Sequence, residues 1–218
     1  MIGYFAVRHV WNKADELGMA RPTYKQIQKA AAKARGLRIP FPVKVGFSSF
    51  CNPFNDGLVA AMNISYKKVS FNYEWLARAV LFGDRMDFQN AFRAVIGHEV
   101  GHKVATCPRK FVFLPQCRKF INWINEYYAD YYALTMALGG SRERMAVALD
   151  YQRRIDRADE DTESHPSWKR RKMTIMKCAF DPAFVFSVAQ EVGCTNFAVI
   201  QTVCNYFFRS NQMHSSII

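Results

Sequence analysis

Long apolar runs are missing from this sequence. No stretch approaches the roughly 18 uncharged apolar residues of a membrane-spanning helix. The most apolar region, 174–208, is broken by Lys177, Asp181 and Glu191. The start, Met1-Ile2-Gly3-Tyr4-Phe5-Ala6-Val7-Arg8, lacks the basic n-region and apolar length of a secretory signal. Cysteine pairs are missing too. Six cysteines stand at 51, 107, 117, 178, 194 and 204 with no Cys-x-x-Cys, which argues against a cysteine-type zinc site. An even count permits three disulfides, but without a secretory signal reduced thiols are the default. The expectation is a soluble cytoplasmic chain with no membrane span. Acidic residues are scarce as well: 18 Asp and Glu against 30 Lys and Arg give a formal charge of +12. That balance admits an acidic substrate or a polyanionic partner. The basic residues are dispersed, with Lys169-Arg170-Arg171-Lys172 the one run, and no nucleic-acid-binding signature accompanies them. A nucleic-acid partner is therefore not expected, although the charge leaves it open. Repeats and low-complexity segments are absent.

What remains is enough for a full core: half of the 218 residues are hydrophobic and 18 are Phe. The length suits one domain with an appendage. Histidines number only five, and two of them stand in His98-Glu99-Val100-Gly101-His102. On a helix, His98 and His102 project from one face a turn apart, which lets two imidazoles hold one Zn²⁺. Glu99, displaced by about 100° around the axis, reaches the open zinc position instead of binding the metal. A carboxylate there can take a proton from a water whose pKa the metal has lowered. Gly97 and Gly101 each cost a helix interior about 1 kcal/mol relative to Ala. Close backbone packing around a site would compensate.

Around this motif the chain reads in order. Thr23 caps a helix ending near Gly36. Strands are expected at Val43–Phe47, Leu58–Ile64 and Lys67–Phe71, and a short helix at about 74–82. Asp87 caps the motif helix, and Pro108 closes it. Residues 107–119 read as a loop, followed by helices at about 120–138, from Ser141 onward, and at 166–179 with Pro166 in its first turn. Two further helices are expected at 182–192 and 195–208. Asp159-Glu160-Asp161-Thr162-Glu163 reads as a solvated acidic linker.

A catalytic zinc needs a third protein ligand. No histidine follows His102 closely. The next helix offers Glu126-Tyr127-Tyr128-Ala129-Asp130, where Glu126 and Asp130 share a face four residues apart. That spacing puts one carboxylate on the metal and the second on a ligand histidine's free N–H. The aromatic neighbours leave little room for a solvated face there.

Three pieces in this order carry a resemblance: His98-Glu99-Val100-Gly101-His102, Glu126-x-x-Ala129-Asp130, and Ser164-His165-Pro166 with Arg171 six residues after the histidine. Together they resemble the gluzincin peptidases of the HtpX and type 1 CaaX prenyl protease family, closest to its small soluble members, the minigluzincins. The resemblance covers about residues 40–180. It implies a zincin-like α+β fold, with a small mostly antiparallel sheet packed on the active-site helix and several further helices. Residues 1–180 would form the metallopeptidase domain, with a helical lead-in at 1–40, and 181–218 a C-terminal helical extension. Leu58–Ile64 would be the edge strand above the cleft, open to an extended peptide by strand addition. His98, His102 and Glu126 would be the zinc ligands, Glu99 the base and Asp130 the support of a ligand histidine. The His165 segment would border the cleft. His165 has two readings, a hydrogen-bond donor to the oxyanion or a structural cap of the helix begun by Pro166, and Arg171 is read as fixing that loop. The transmembrane helices of larger relatives are missing, so their role in membrane-protein quality control does not transfer. The spacing from His102 to Glu126 is also short, as in the minimal members.

The resulting expectation is a zinc endopeptidase acting on peptide or protein substrates. Two alternatives stand beside it. An ImmA/IrrE-type regulatory peptidase pairs similar helices but lacks the segment with His-Pro and an arginine six residues after the histidine, so His165 and Arg171 argue against it. A zinc-stabilised, non-proteolytic binding module would use the basic surface instead. For the extension, a core-completing cover and a latency segment over the cleft both stand.

Overall fold

The computed structural model describes residues 4–16, 18–35, 44–48, 60–63, 68–72, 80–81, 87–105, 113–156 and 159–209. Helix dominates them. Helices α1 (Tyr4–Glu16) and α2 (Tyr24–Arg35) lead the chain. The expected cap at Thr23 is a reciprocal box: its Oγ1 accepts from the Gln26 amide at 3.2 Å, and Gln26 Oε1 accepts from the Thr23 amide at 2.7 Å.

Three short strands follow, β1 (Lys44–Ser48), β2 (Ala60–Asn63) and β3 (Lys68–Asn72), in the order β1-β3-β2. Here the structure corrects the expected fold class. The sheet is mixed, not mostly antiparallel: β1 runs parallel to β3, and only β2 pairs antiparallel with it. Strands this short are a minor part of a mainly helical chain, so the α+β expectation does not hold. Alternation of side chains predicts that a strand forms but not which neighbour it joins or in which direction, and that is where the reading failed. Among the described strands β2 does lie at an edge. The short helix expected at 74–82 falls mostly outside the described residues, of which only 80–81 are helical there.

Helix α3 (Asp87–Val104) is the centre of the molecule. Phe88, Ala91, Phe92, Val95, Ile96 and Val100 are all buried. Phe71 of β3 stacks on Phe92 at 4.6 Å between ring centroids, so the sheet lies against this helix. Helix α4 (Pro115–Tyr132) begins five residues earlier than the sequence suggests, because Pro115 occupies its first turn, where a missing N–H costs nothing. It runs on into a π-helical turn, Ala133–Ala137, and Gly139 and Gly140 end it at positive φ. Then come α5 (Arg142–Asp156), α6 (Trp168–Lys177), α7 (Pro182–Glu191) and α8 (Phe197–Arg209). The cap of α6 is Ser167, whose side chain accepts from the Arg170 amide, so Pro166 precedes the helix instead of opening it.

Two cores share α4. Its last turn and the π-turn join α3, α5 and β3 through Ala133, Leu134 and Leu138. Its first half, from Cys117 through Tyr127, packs instead on α7 and α8 through Phe184, Val185, Val188, Val203 and Phe207. The C-terminal helices therefore cover the N-terminal half of α4. Within this second core the free thiols of Cys117 and Cys194 touch at 3.5 Å. No helix among the described residues is long and apolar enough to cross a membrane.

Candidate metal centre

The site forms where α3 and α4 touch backbone to backbone. A Cβ on Gly97 would sit 2.8 Å from the Ala133 Cα, and one on Gly101 would sit 2.9 Å from the Ala129 Cα. Glycines on α3 and alanines on α4, both at a spacing of four, thus remove the side chains that normally hold helices 8–10 Å apart. This is the compensation that two helix-interior glycines called for. The neighbouring residues His98 and His102 on one helix, and Asp130 and, one turn earlier, Glu126 on the other, are brought within bonding reach.

His98 Nε2 lies 3.2 Å from Glu126 Oε2, and His102 Nε2 lies 3.2 Å from Glu126 Oε1. The two Nε2 atoms are 2.9 Å apart. Donor atoms of all three residues lie within 4.8 Å of one another, a group that could hold a metal ion. The donor set fits a cation on two further counts. Two imidazole nitrogens and a carboxylate oxygen suit a borderline divalent ion. Glu126 Oε2 is also buried without a hydrogen-bond partner, an arrangement that costs free energy unless something positive faces it.

Behind the donors stands a second layer of charge. Asp130, fully buried, accepts from His98 Nδ1 at 2.9 Å, which turns the Nε2 lone pair toward the cluster. Arg171 donates to the same carboxylate through Nε at 2.7 Å and Nη2 at 2.6 Å, a bidentate fork. Its Nη1 reaches to 3.6 Å from Glu126 Oε2, and its guanidinium lies 4.4 Å above the Trp168 ring. Arg171 thus does more than fix a loop: it neutralises the carboxylates that hold the histidines.

Electrostatics follows the geometry. Burial alone would push the Glu126 carboxyl up, but His98 and His102 opposite outweigh it and hold it well below the usual range. Burial pulls His98 down, yet Glu126 and Asp130 raise it to about 9 in the metal-free chain. Asp130 is likewise lowered, the Arg171 guanidinium overcoming the burial penalty. Glu99 is half-buried on α3 between the two histidines, outside the group of three donors.

His165 completes the picture at the rim. Its Nε2 lies 3.4 Å from Glu126 Oε1, the oxygen that also faces His102. The side chain is 59 % exposed, but partial desolvation at its tip, aided by Arg171, His98 and His102, keeps its pKa below the usual value despite Glu126. The structure brings together six of the seven sequence-derived site residues in direct contacts and places Glu99 beside them.

No protein-family model, curated protein or solved structure matches this chain. Chemistry at the site must therefore be argued from its own residues.

Sequence reasoning missed the segment before α6. The stretch 159–163, read as a solvated linker, is tied down at nearly every residue. Asp159 accepts from the Lys169 amide at 3.0 Å and pairs with Arg153 at 2.5 Å. Asp161 accepts from the Ser167 amide at 2.8 Å and from Arg170 Nε at 2.8 Å. Trp123 Nε1 on α4 donates to the Thr162 carbonyl at 2.9 Å. A signal was present: two aspartates just ahead of a helix whose first turn holds Lys169 and Arg170 are placed to cap it.

Proposed function

We propose that the chain is a zinc-dependent endopeptidase, with His98, His102 and Glu126 as the metal ligands. The observation that carries this reading is the convergence of three donors from two helices on one point, the two imidazole Nε2 atoms each 3.2 Å from an oxygen of the buried Glu126 carboxylate. Zn²⁺ held there supplies Lewis acidity and lowers the pKa of water at neutral pH. Glu99, next to a ligand histidine on α3, is the general base: it takes the proton of the attacking water and returns it to the leaving amine. Asp130 holds the tautomer of His98, and Arg171 keeps Asp130 ionised. His165, outside the ligand set but 3.4 Å from Glu126, is placed to donate a hydrogen bond to the oxyanion that forms when the peptide carbonyl is attacked. The β2 edge offers an extended peptide a row of main-chain partners. The gluzincin resemblance supports the ligand set, Glu99 as base and Asp130 as support of a ligand histidine.

The test joins metal analysis of the purified protein with casein digestion, with and without a chelator. Zinc at about one equivalent and chelator-sensitive cleavage are expected. Glu99→Ala keeps the metal and loses cleavage, whereas His102→Ala loses both. Full-rate cleavage by Glu99→Ala would remove the base assignment.

A further inference from the structure

The segment 159–167 reaches from α5 to α6 across the face of α4 and carries His165 at its tip. Its tie to α4 is a chain of hydrogen bonds that begins one helical turn from a metal ligand. Trp123, three residues before Glu126, donates from Nε1 to the Thr162 carbonyl at 2.9 Å. Thr162 then closes a tight turn on His165: its Oγ1 accepts from the His165 amide at 2.9 Å, and its own amide donates to the His165 carbonyl at 2.9 Å. Ser164 Oγ lies 2.8 Å from His165 Nδ1 and fixes the ring so that Nε2 faces Glu126. Asn122 supports the same turn by donating to the Glu163 carbonyl at 3.3 Å.

We infer that Trp123 is a positioning residue that sets the place of His165 over the metal cluster, acting through the Thr162–His165 turn. The inference rests on the hydrolase reading for its kinetic consequence, but not for its structural one. Anchor and ligand sit on one helix, so α4 sets where the turn that carries the His165 ring stands relative to Glu126. The Trp123 ring is buried in the second core, whereas its N–H is used at the loop. A side chain needed only to fill that core would not need the nitrogen. On the other side the Asp161–Arg170 pair holds the turn to α6.

Trp123→Phe keeps an aromatic ring in the core and deletes the donor. In the full-length metal-free chain, ¹³C relaxation of the His165 ring is expected to change from rigid to mobile. In the zinc-loaded protein, casein cleavage should lose about tenfold in kcat with KM nearly constant. The decisive comparison is with His165→Ala: the double variant should be no slower than His165→Ala alone, because both changes act through one imidazole. Thr162→Val, at an exposed position, keeps the Trp123 bond to the main-chain carbonyl and removes only the Oγ1 acceptor of the His165 amide, so it should give a smaller change of the same kind. A His165 ring that stays rigid in both variants, or losses that multiply in the double variant, would overturn the role. If the wild-type chain cleaves no protein, the hydrolase reading fails on its own, and ring mobility still decides this one.

Discussion

The candidate metal centre has a buried half and a rim half, and they are built differently. Asp130 is 0 % exposed, and Arg171, Glu126 and His98 are nearly as closed. Asp130 of α4 and Arg171 of α6 are joined by a fork of charge-assisted hydrogen bonds, and His98 of α3 bonds to the same carboxylate. At the rim, His102 is 28 % exposed and His165 is 59 % exposed, and both touch solvent directly. The buried half fixes charge and tautomer, so its members depend on one another. The rim half is open to solvent, so changing one of its members should disturb the fold less. Stability should fail first in the former and activity in the latter.

The sharpest way to break that contrast is Asp130→Ala. It leaves Arg171 buried without its carboxylate, which should cost about 3–5 kcal/mol in chemical denaturation of the metal-free protein. A loss near zero would mean that the fork adds no support. His165→Ala, by contrast, should keep the metal and the unfolding midpoint while lowering kcat for casein by about 10²-fold. Loss of metal in that variant would move His165 into the ligand set. Between these lies the helix contact. Gly101→Ala should destabilise by about 1–3 kcal/mol and weaken metal binding, even though alanine is the better helix former. Calorimetry and metal titration would measure both effects.

The smallest effect concerns the arm that carries His165. Burial, the largest single influence, raises the Asp161 carboxyl, but the hydrogen bonds from Arg170 and Ser167 and the Arg170 charge together outweigh it and hold it below the ordinary value. A carboxylate lowered in the folded state contributes stability above its unfolded pKa of about 3.9, and that contribution disappears as pH falls through the folded value. Proteolysis within 159–165 should therefore be slow at neutral pH and quicken below about pH 4, before the global unfolding transition. Equal protection at both pH values would mean that the arm is held by other contacts.

Much of this site could be read from the chain because helical periodicity is local. His98 with His102, and Glu126 with Asp130, each lie one turn apart, so their shared faces followed from spacing alone. Gly97 and Gly101 announced a close contact, but not that Ala129 and Ala133 would meet them, since partner choice depends on the whole fold. The hydrogen bond from Trp123 to Thr162 spans 39 residues, and nothing in either residue's neighbourhood points to the other. The sheet was misread for a related reason. Residues 44–48 and 68–72 are both recognisable as strands, yet their parallel alignment depends on how the chain between them crosses over. The π-turn at Ala133–Ala137 is not announced by its sequence, a run of helix formers broken only by Thr135.

The contact between α3 and α4 also has a chemical consequence. Where helices are spaced by long side chains, rotamer changes let a coordination site widen or narrow. Here main chain rests on main chain, so the gap between the imidazole pair and the opposing carboxylate has a hard stop and little elastic range. If the cluster holds a metal as proposed, that separation would favour a small ion with short bonds to nitrogen over calcium, with oxygen bonds of about 2.3–2.6 Å and six or more partners. On that reading, two glycines outside the donor set would govern the size of ion the site takes.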